Sequence, residues 1–107
     1  MPPPSLSFED KNMPNAINYG VLGPTYKQVN DSGLIKSGVG QLRGIFCSSG
    51  TGVTLTLYDN TAGSGTILIN TFPLTDATYY DMADVVFGVG LYAVKGTGSA
   101  ELTFLYF

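Results

Sequence analysis

The sequence predicts an all-β protein, an antiparallel β-sandwich that is jelly-roll-like and preceded by an extended N-terminal arm. Three observations predict it. Turn signals recur roughly every 8–12 residues from Thr25 onward, the spacing of sandwiches and barrels. They fall at Asp31-Ser32-Gly33, Ser37-Gly38, Ser48-Ser49-Gly50, Asp59 to Gly65, Asp76, Gly88 to Gly90 and Gly96-Thr97-Gly98. The runs between them are rich in Val, Ile, Leu, Thr, Tyr and Phe, which fit a pleated, half-buried surface. No segment sustains the apolar periodicity that a helix packed on a core requires.

Residues 1–24 read as the arm and residues 25–107 as the sandwich. Five of the six prolines (Pro2, Pro3, Pro4, Pro14, Pro24) lie in the arm. Proline fixes its own φ and biases the preceding residue toward extended geometry. Leu6, Phe8, Met13, Ile17, Tyr19, Val21 and Leu22 are spaced along it as apolar anchors. Two readings are open, a disordered tail or an arm docked on a neighbour; a free tail would leave the anchors unused.

Strands are expected near 26–30, 33–37, 40–47, 52–58, 66–72, 78–81, 84–88, 90–95 and 100–106. In VTLTLY, Val53, Leu55 and Leu57 share one face of a strand, with the threonines and Tyr58 on the other. Asp59, Asn60, Gly63 and Gly65 supply turn chemistry for a solvent-facing hairpin tip. The return strand sets Ile67 and Ile69 opposite the first strand's apolar face, and Pro73 ends the ladder because it has no N–H. The last strand differs. After Thr103 both of its faces become apolar, so Leu102, Phe104, Leu105, Tyr106 and Phe107 are the candidate subunit interface, buried inside or against another copy.

Composition narrows the function. At 107 residues the chain fits one domain and can bury a real core without covalent staples. Only 12% of the residues are charged, about half the usual share for a soluble domain. A surface so thinly charged is poorly protected against association, which points to an oligomer. The net charge is −3 and the five basic residues are scattered, so the clustered Lys and Arg that displace counterions from nucleic acid are missing, as is a basic face for anionic membranes. The N-terminal stretch lacks the charged and long apolar regions of a signal peptide, and the chain is expected to be made and to fold in the cytoplasm.

Reactive chemistry is sparse. There is no histidine, which removes the commonest general base and metal ligand. Cys47 is the single cysteine and lies in the apolar run Gly44-Ile45-Phe46-Cys47, where a small buried hydrophobe is the expected role. Asp76, Asp81 and Asp84 form a carboxylate group that could take calcium, against the commoner use of aspartates in turns. Gly88-Val89-Gly90 and Gly96-Thr97-Gly98 resemble phosphate loops only weakly, since neither has the third glycine or the Gly-Lys-Ser/Thr ending. Tyr79, Tyr80, Tyr92 and Tyr106 are candidates for stacking on sugars. No catalytic group and no cofactor are expected.

The strings VTLTLYDNTAGSGTILINTF and VVFGVGLYAVKGTGSAELTFLYF resemble small β-sandwich virion proteins of tailed bacteriophages. The shared pattern is a strand ending in Tyr-Asp-Asn-Thr, a Gly-Ser-Gly tip, a return strand, then Gly-Leu-Tyr and a last aromatic strand, over residues 32–107. The resemblance implies a non-enzymatic decoration or cement protein on the virion surface. Its partners would be the major capsid protein and further copies of itself, as a homotrimer, with the arm residues Leu6, Phe8, Met13, Ile17, Tyr19 and Leu22 touching the capsid. A tail or fibre component with glycan-binding loops is the alternative.

Overall fold

The computed structural model describes residues 23–107; the arm anchors Leu6, Phe8, Met13, Ile17, Tyr19 and Leu22 lie outside the described residues. Eight strands follow one another: β1 (Thr25–Val29), β2 (Gly33–Ser37), β3 (Gly40–Ser49), β4 (Thr54–Tyr58), β5 (Ile67–Pro73), β6 (Thr78–Phe87), β7 (Gly90–Lys95) and β8 (Glu101–Tyr106). They form two packed four-stranded sheets, the first in the order β1-β8-β3-β6 and the second in the order β2-β7-β4-β5. All pairings are antiparallel. The chain runs out through β1–β4, turns at residues 59–66, and returns so that β5 pairs with β4, β6 with β3, β7 with β2 and β8 with β1. Two further pairings, β8 on β3 and β7 on β4, close each sheet around its central strands.

Strand alternation sends one side of each sheet inward. Leu42, Ile45 and Cys47 of β3 meet Leu102 and Phe104 of β8, and across the gap lie Leu55 and Leu57 of β4 with Leu91 and Ala93 of β7. Phe87 and Leu74 complete this core, both essentially without solvent contact. Fully burying a side chain of this size contributes about 1.5–3 kcal/mol.

Leu102 and Phe104 therefore fill the protein's own interior and present nothing to another subunit, a correction to their assignment as interface. The reason is topological. β8 is a central strand flanked by β1 and β3, so its inward face is consumed by the second sheet. Tyr106 also turns inward and packs against the core, while Leu105 alternates to the outside.

Two expected strands, 78–81 and 84–88, are one. β6 runs unbroken through both, with a bulge where Met82, Ala83 and Asp84 together oppose Arg43, between the pairs Asp81↔Gly44 and Val85↔Leu42. Ala83 and Asp84 both adopt positive φ, 53° and 56°. That conformation costs about 1–2 kcal/mol per non-glycine residue. It is held by the Asp81 carboxylate, which accepts from Ala83 N–H at 2.8 Å, and by the ion pair of Asp84 with Arg43. The gap expected at residues 82–83 falls on this bulge, which interrupts the strand's alternation without ending the strand.

A second bulge, at Leu68, breaks the alternation of β5. Ile69 pairs with Leu57 and packs on the core, whereas Ile67 pairs with Tyr58 and is exposed. Pro73 is the last residue of β5, on the open edge of the second sheet, where its missing N–H leaves no ladder bond unmade.

Candidate interaction surface

The residues singled out for chemistry do not converge. Cys47 is fully buried; its thiol donates to the Ser49 carbonyl at 3.2 Å, and burial pushes its pKa up, away from the reactive thiolate. Asp76 accepts from Gly50 N–H at 2.6 Å and Thr51 N–H at 2.9 Å, which lowers its pKa and ties the β3–β4 turn to the loop before β6. Asp84 is paired with Arg43 at 2.6 Å, and Asp81 is spent on the bulge. The three carboxylates thus serve three separate local contacts, and among the described residues no three His, Cys, Asp or Glu side chains come together as a metal site.

The Gly88-Val89-Gly90 turn does bind an anion, but the anion is the chain's own. Asp59 accepts from the N–H groups of Gly88 (2.9 Å), Val89 (2.8 Å) and Gly90 (3.3 Å), and these hydrogen bonds hold its carboxyl below the usual range. Gly90 is in this turn for a steric reason as well. A Cβ there would stand 2.9 Å from the Asn60 carbonyl oxygen and 3.0 Å from that of Lys36. At Gly96-Thr97-Gly98 the carbonyls of Gly96 and Gly98 accept from the Lys95 ammonium, the opposite polarity from a phosphate cradle.

The hairpin tip is a cover. Asp59 N–H donates to the Thr66 carbonyl, and the Asn60 side chain both accepts from Thr61 N–H and donates to the Ser64 carbonyl. The loop so organised lies against the outer face of the second sheet, where a Cβ on Gly63 would stand 2.8 Å from a Val94 methyl and 3.1 Å from the Tyr92 ring. The expectation of a tip facing only solvent is corrected by that contact.

The outer face of the first sheet has no such cover among the described residues. In one row across it stand Tyr79 of β6, Phe46 of β3, Thr103 of β8 and Gln28 of β1; in the next stand Asp81, Gly44, Leu105 and Tyr26. Tyr26 is 65% exposed, Tyr79 45%, Phe46 38% and Val86 58%. The Tyr79 ring lies over Gly44, where a side chain would clash with it. Beyond Leu105, the Arg43 guanidinium sits 5.0 Å from the centre of the Phe107 ring, a cation–π contact, and the Phe107 backbone exchanges hydrogen bonds with Gln41.

The four tyrosines expected to stack on sugars do not share this face. Tyr79 is on it. Tyr80 points inward, its ring 5.3 Å from that of Phe72 and its hydroxyl accepting from Thr75 N–H. Tyr92 lies beneath the tip and Tyr106 against the core. The platform is instead made by Tyr26, Phe46, Tyr79 and Leu105. Phe46 carried a signal: it is the out-of-phase residue between Ile45 and Cys47, both wholly buried.

No family model matches the chain, and no curated protein and no solved structure matches it either.

Proposed function

We propose that this is a non-enzymatic structural protein of the virion, a phage capsid decoration or cement protein built on a jelly-roll sandwich. The observation that carries the reading is the open aromatic face of the first sheet, on a scaffold whose Asp59 and Asp76 carboxylates are occupied in tying its own turns. Contiguous exposed apolar surface of this kind marks a protein-binding face. The strand order supports the jelly-roll assignment, since the outward half of the chain pairs strand by strand with the returning half across two sheets. The phage-protein resemblance of residues 53–72 and 85–107 points the same way.

In this reading each copy binds the major capsid protein with a modest contact, and symmetric linkage of copies as a homotrimer multiplies it through effective concentration. The arm supplies further contacts through Leu6, Phe8, Met13, Ile17, Tyr19 and Leu22. Nucleic acid, membrane and cofactors have no part in it. The test is co-sedimentation with intact capsids: a fixed ratio to the major capsid protein is expected, and failure to pellet with capsids defeats the proposal. Deleting residues 1–24 should leave the sandwich folded and weaken capsid binding tenfold or more, equivalent to about 1.4 kcal/mol.

A specific observation favours a second reading, in which the protein belongs to a tail or fibre and binds glycans. Tyr26, Phe46 and Tyr79 interleaved with Gln28, Thr103 and Asp81 combine stacking rings with hydrogen-bonding groups on one face. Specific retention on a glycan array by the intact protein, lost in Phe46→Ser, would select it.

A further inference from the structure

We propose that the open face of the first sheet seats residues 1–22 of a second copy of this chain, so that arms and faces join copies into a closed homo-oligomer. The inference deepens the reading above and rests on its premise that copies are linked as a homo-oligomer, with Leu6, Phe8 and Met13 assigned to the neighbouring copy instead of the capsid.

The face and the segment match in chemistry. Tyr26, Phe46, Tyr79 and Leu105 offer aromatic and aliphatic surface with few charges. Residues 1–22 carry seven apolar anchors and only three charged side chains, consecutive at Glu9, Asp10 and Lys11. The second sheet offers less, because the 59–66 loop already lies on its outer face at Tyr92 and Val94.

Length decides between the chain's own arm and a neighbour's. The face is four strands wide, about 14 Å at the usual spacing, and its longest strands have 10 residues, about 33 Å of extended chain. The segment joins the sheet at the start of its edge strand, β1. From Leu22 to Leu6 an extended chain covers about 53 Å, more than the diagonal of the face. An extended segment leading from β1 would therefore carry Leu6 and Phe8 past the edge of its own sheet, and Pro14, which lies between them and Ile17, disfavours a reversal. A surface of the same composition awaits them on the next copy. Each copy then gives one arm and receives one, a head-to-tail contact that closes into a ring.

The experiment uses the full chain without capsids, so its outcome is independent of capsid binding. One variant carries Leu6→Ser, Phe8→Ser and Met13→Ser; the other carries Tyr26→Ser and Phe46→Ser, both exposed positions. Light scattering at tens of micromolar should give a multiple of the monomer mass for the unaltered protein, and monomer for each folded variant. Mixed in equal amounts they should recover a 1:1 complex, because one retains its face and the other its arm. Tyr26→Ser alone, on an edge strand, replaces the double face variant if circular dichroism shows that variant unfolded. An unaltered protein that is monomeric overturns the proposal, as does a face variant that keeps the oligomer or a mixture that stays monomeric. A monomer that still decorates capsids would sink this inference and the homotrimer with it, and leave capsid decoration standing.

Discussion

On the second sheet, the outward side chains of Tyr92 and Val94 lie beneath residues 59–66, and that loop is latched by the Asp59 carboxylate to three amides of the β6–β7 turn. On the first sheet, Tyr26, Phe46 and Tyr79 stand in equivalent outward positions and nothing among the described residues crosses them. Both sheets have four strands and both back onto the same core. The difference teaches that an outward aromatic residue in a strand has no fixed meaning: whether it is structure or contact surface depends on which loop can reach it.

Four measurements would break or sharpen that comparison. The largest effect should come from the interior that both sheets share. Phe104→Ala is expected to cost about 3–5 kcal/mol, by analogy with large-to-small core changes, and chemical denaturation should register most of the loss as a lower midpoint. Next is Gly63→Val, which drives a side chain into Val94 and Tyr92. Overpacking of this kind costs about 1–3 kcal/mol, and a stability equal to that of the unaltered protein would mean that the loop does not cover the sheet.

The latch gives a pH signature. The Asp59 and Asp76 carboxyls are both held below their ordinary range by backbone hydrogen bonds. A depressed folded pKa contributes stability that is complete above the unfolded value, about 3.9, and is lost as pH falls through the folded one. The thermal midpoint should therefore be nearly flat from about pH 7 to 5 and fall below about pH 4. In Asp59→Asn the acid fall should be shallower, with Asp76 still contributing to it; an unchanged acid limb would remove Asp59 from the account.

The smallest effect belongs to the open face. In Gly44→Ala the atoms nearest the new methyl all belong to the Tyr79 side chain, which is half exposed and held by a single long hydrogen bond to the Arg43 carbonyl, so the cost should stay below about 1 kcal/mol. A loss as large as that of Gly63→Val would show the two faces to be equally packed.

Much of the fold was legible because its signals are local. The alternation in Val53-Thr54-Leu55-Thr56-Leu57 located β4, and the glycine and aspartate clusters located the turns. The break expected at residues 82–83 is the bulge of one continuous β6, and only the pairing on either side of Arg43 reveals it. The candidate surface was legible only in part. Of the five residues expected at a subunit interface, Leu102, Phe104 and Tyr106 turn inward while Leu105 alternates outward in the same strand, a division fixed by which sheet stands opposite.

By itself the sequence determined that this is an all-β chain, where its strands begin and end to within a few residues, and that no histidine-based chemistry operates in it. Those properties follow from nearest-neighbour effects: side-chain alternation, β propensity and the dihedral freedom of turn residues. The tertiary structure decided which of two apolar faces of β8 is core, that the Gly88–Gly90 amides are filled by Asp59, and that Tyr26, Phe46 and Tyr79 share one uncovered surface. These depend on register and sheet order between residues about 80 positions apart, as in the pairs Thr25↔Tyr106 and Tyr26↔Leu105. A one-residue slip in register would turn every side chain of a strand to the opposite face, and no local pattern carries that information.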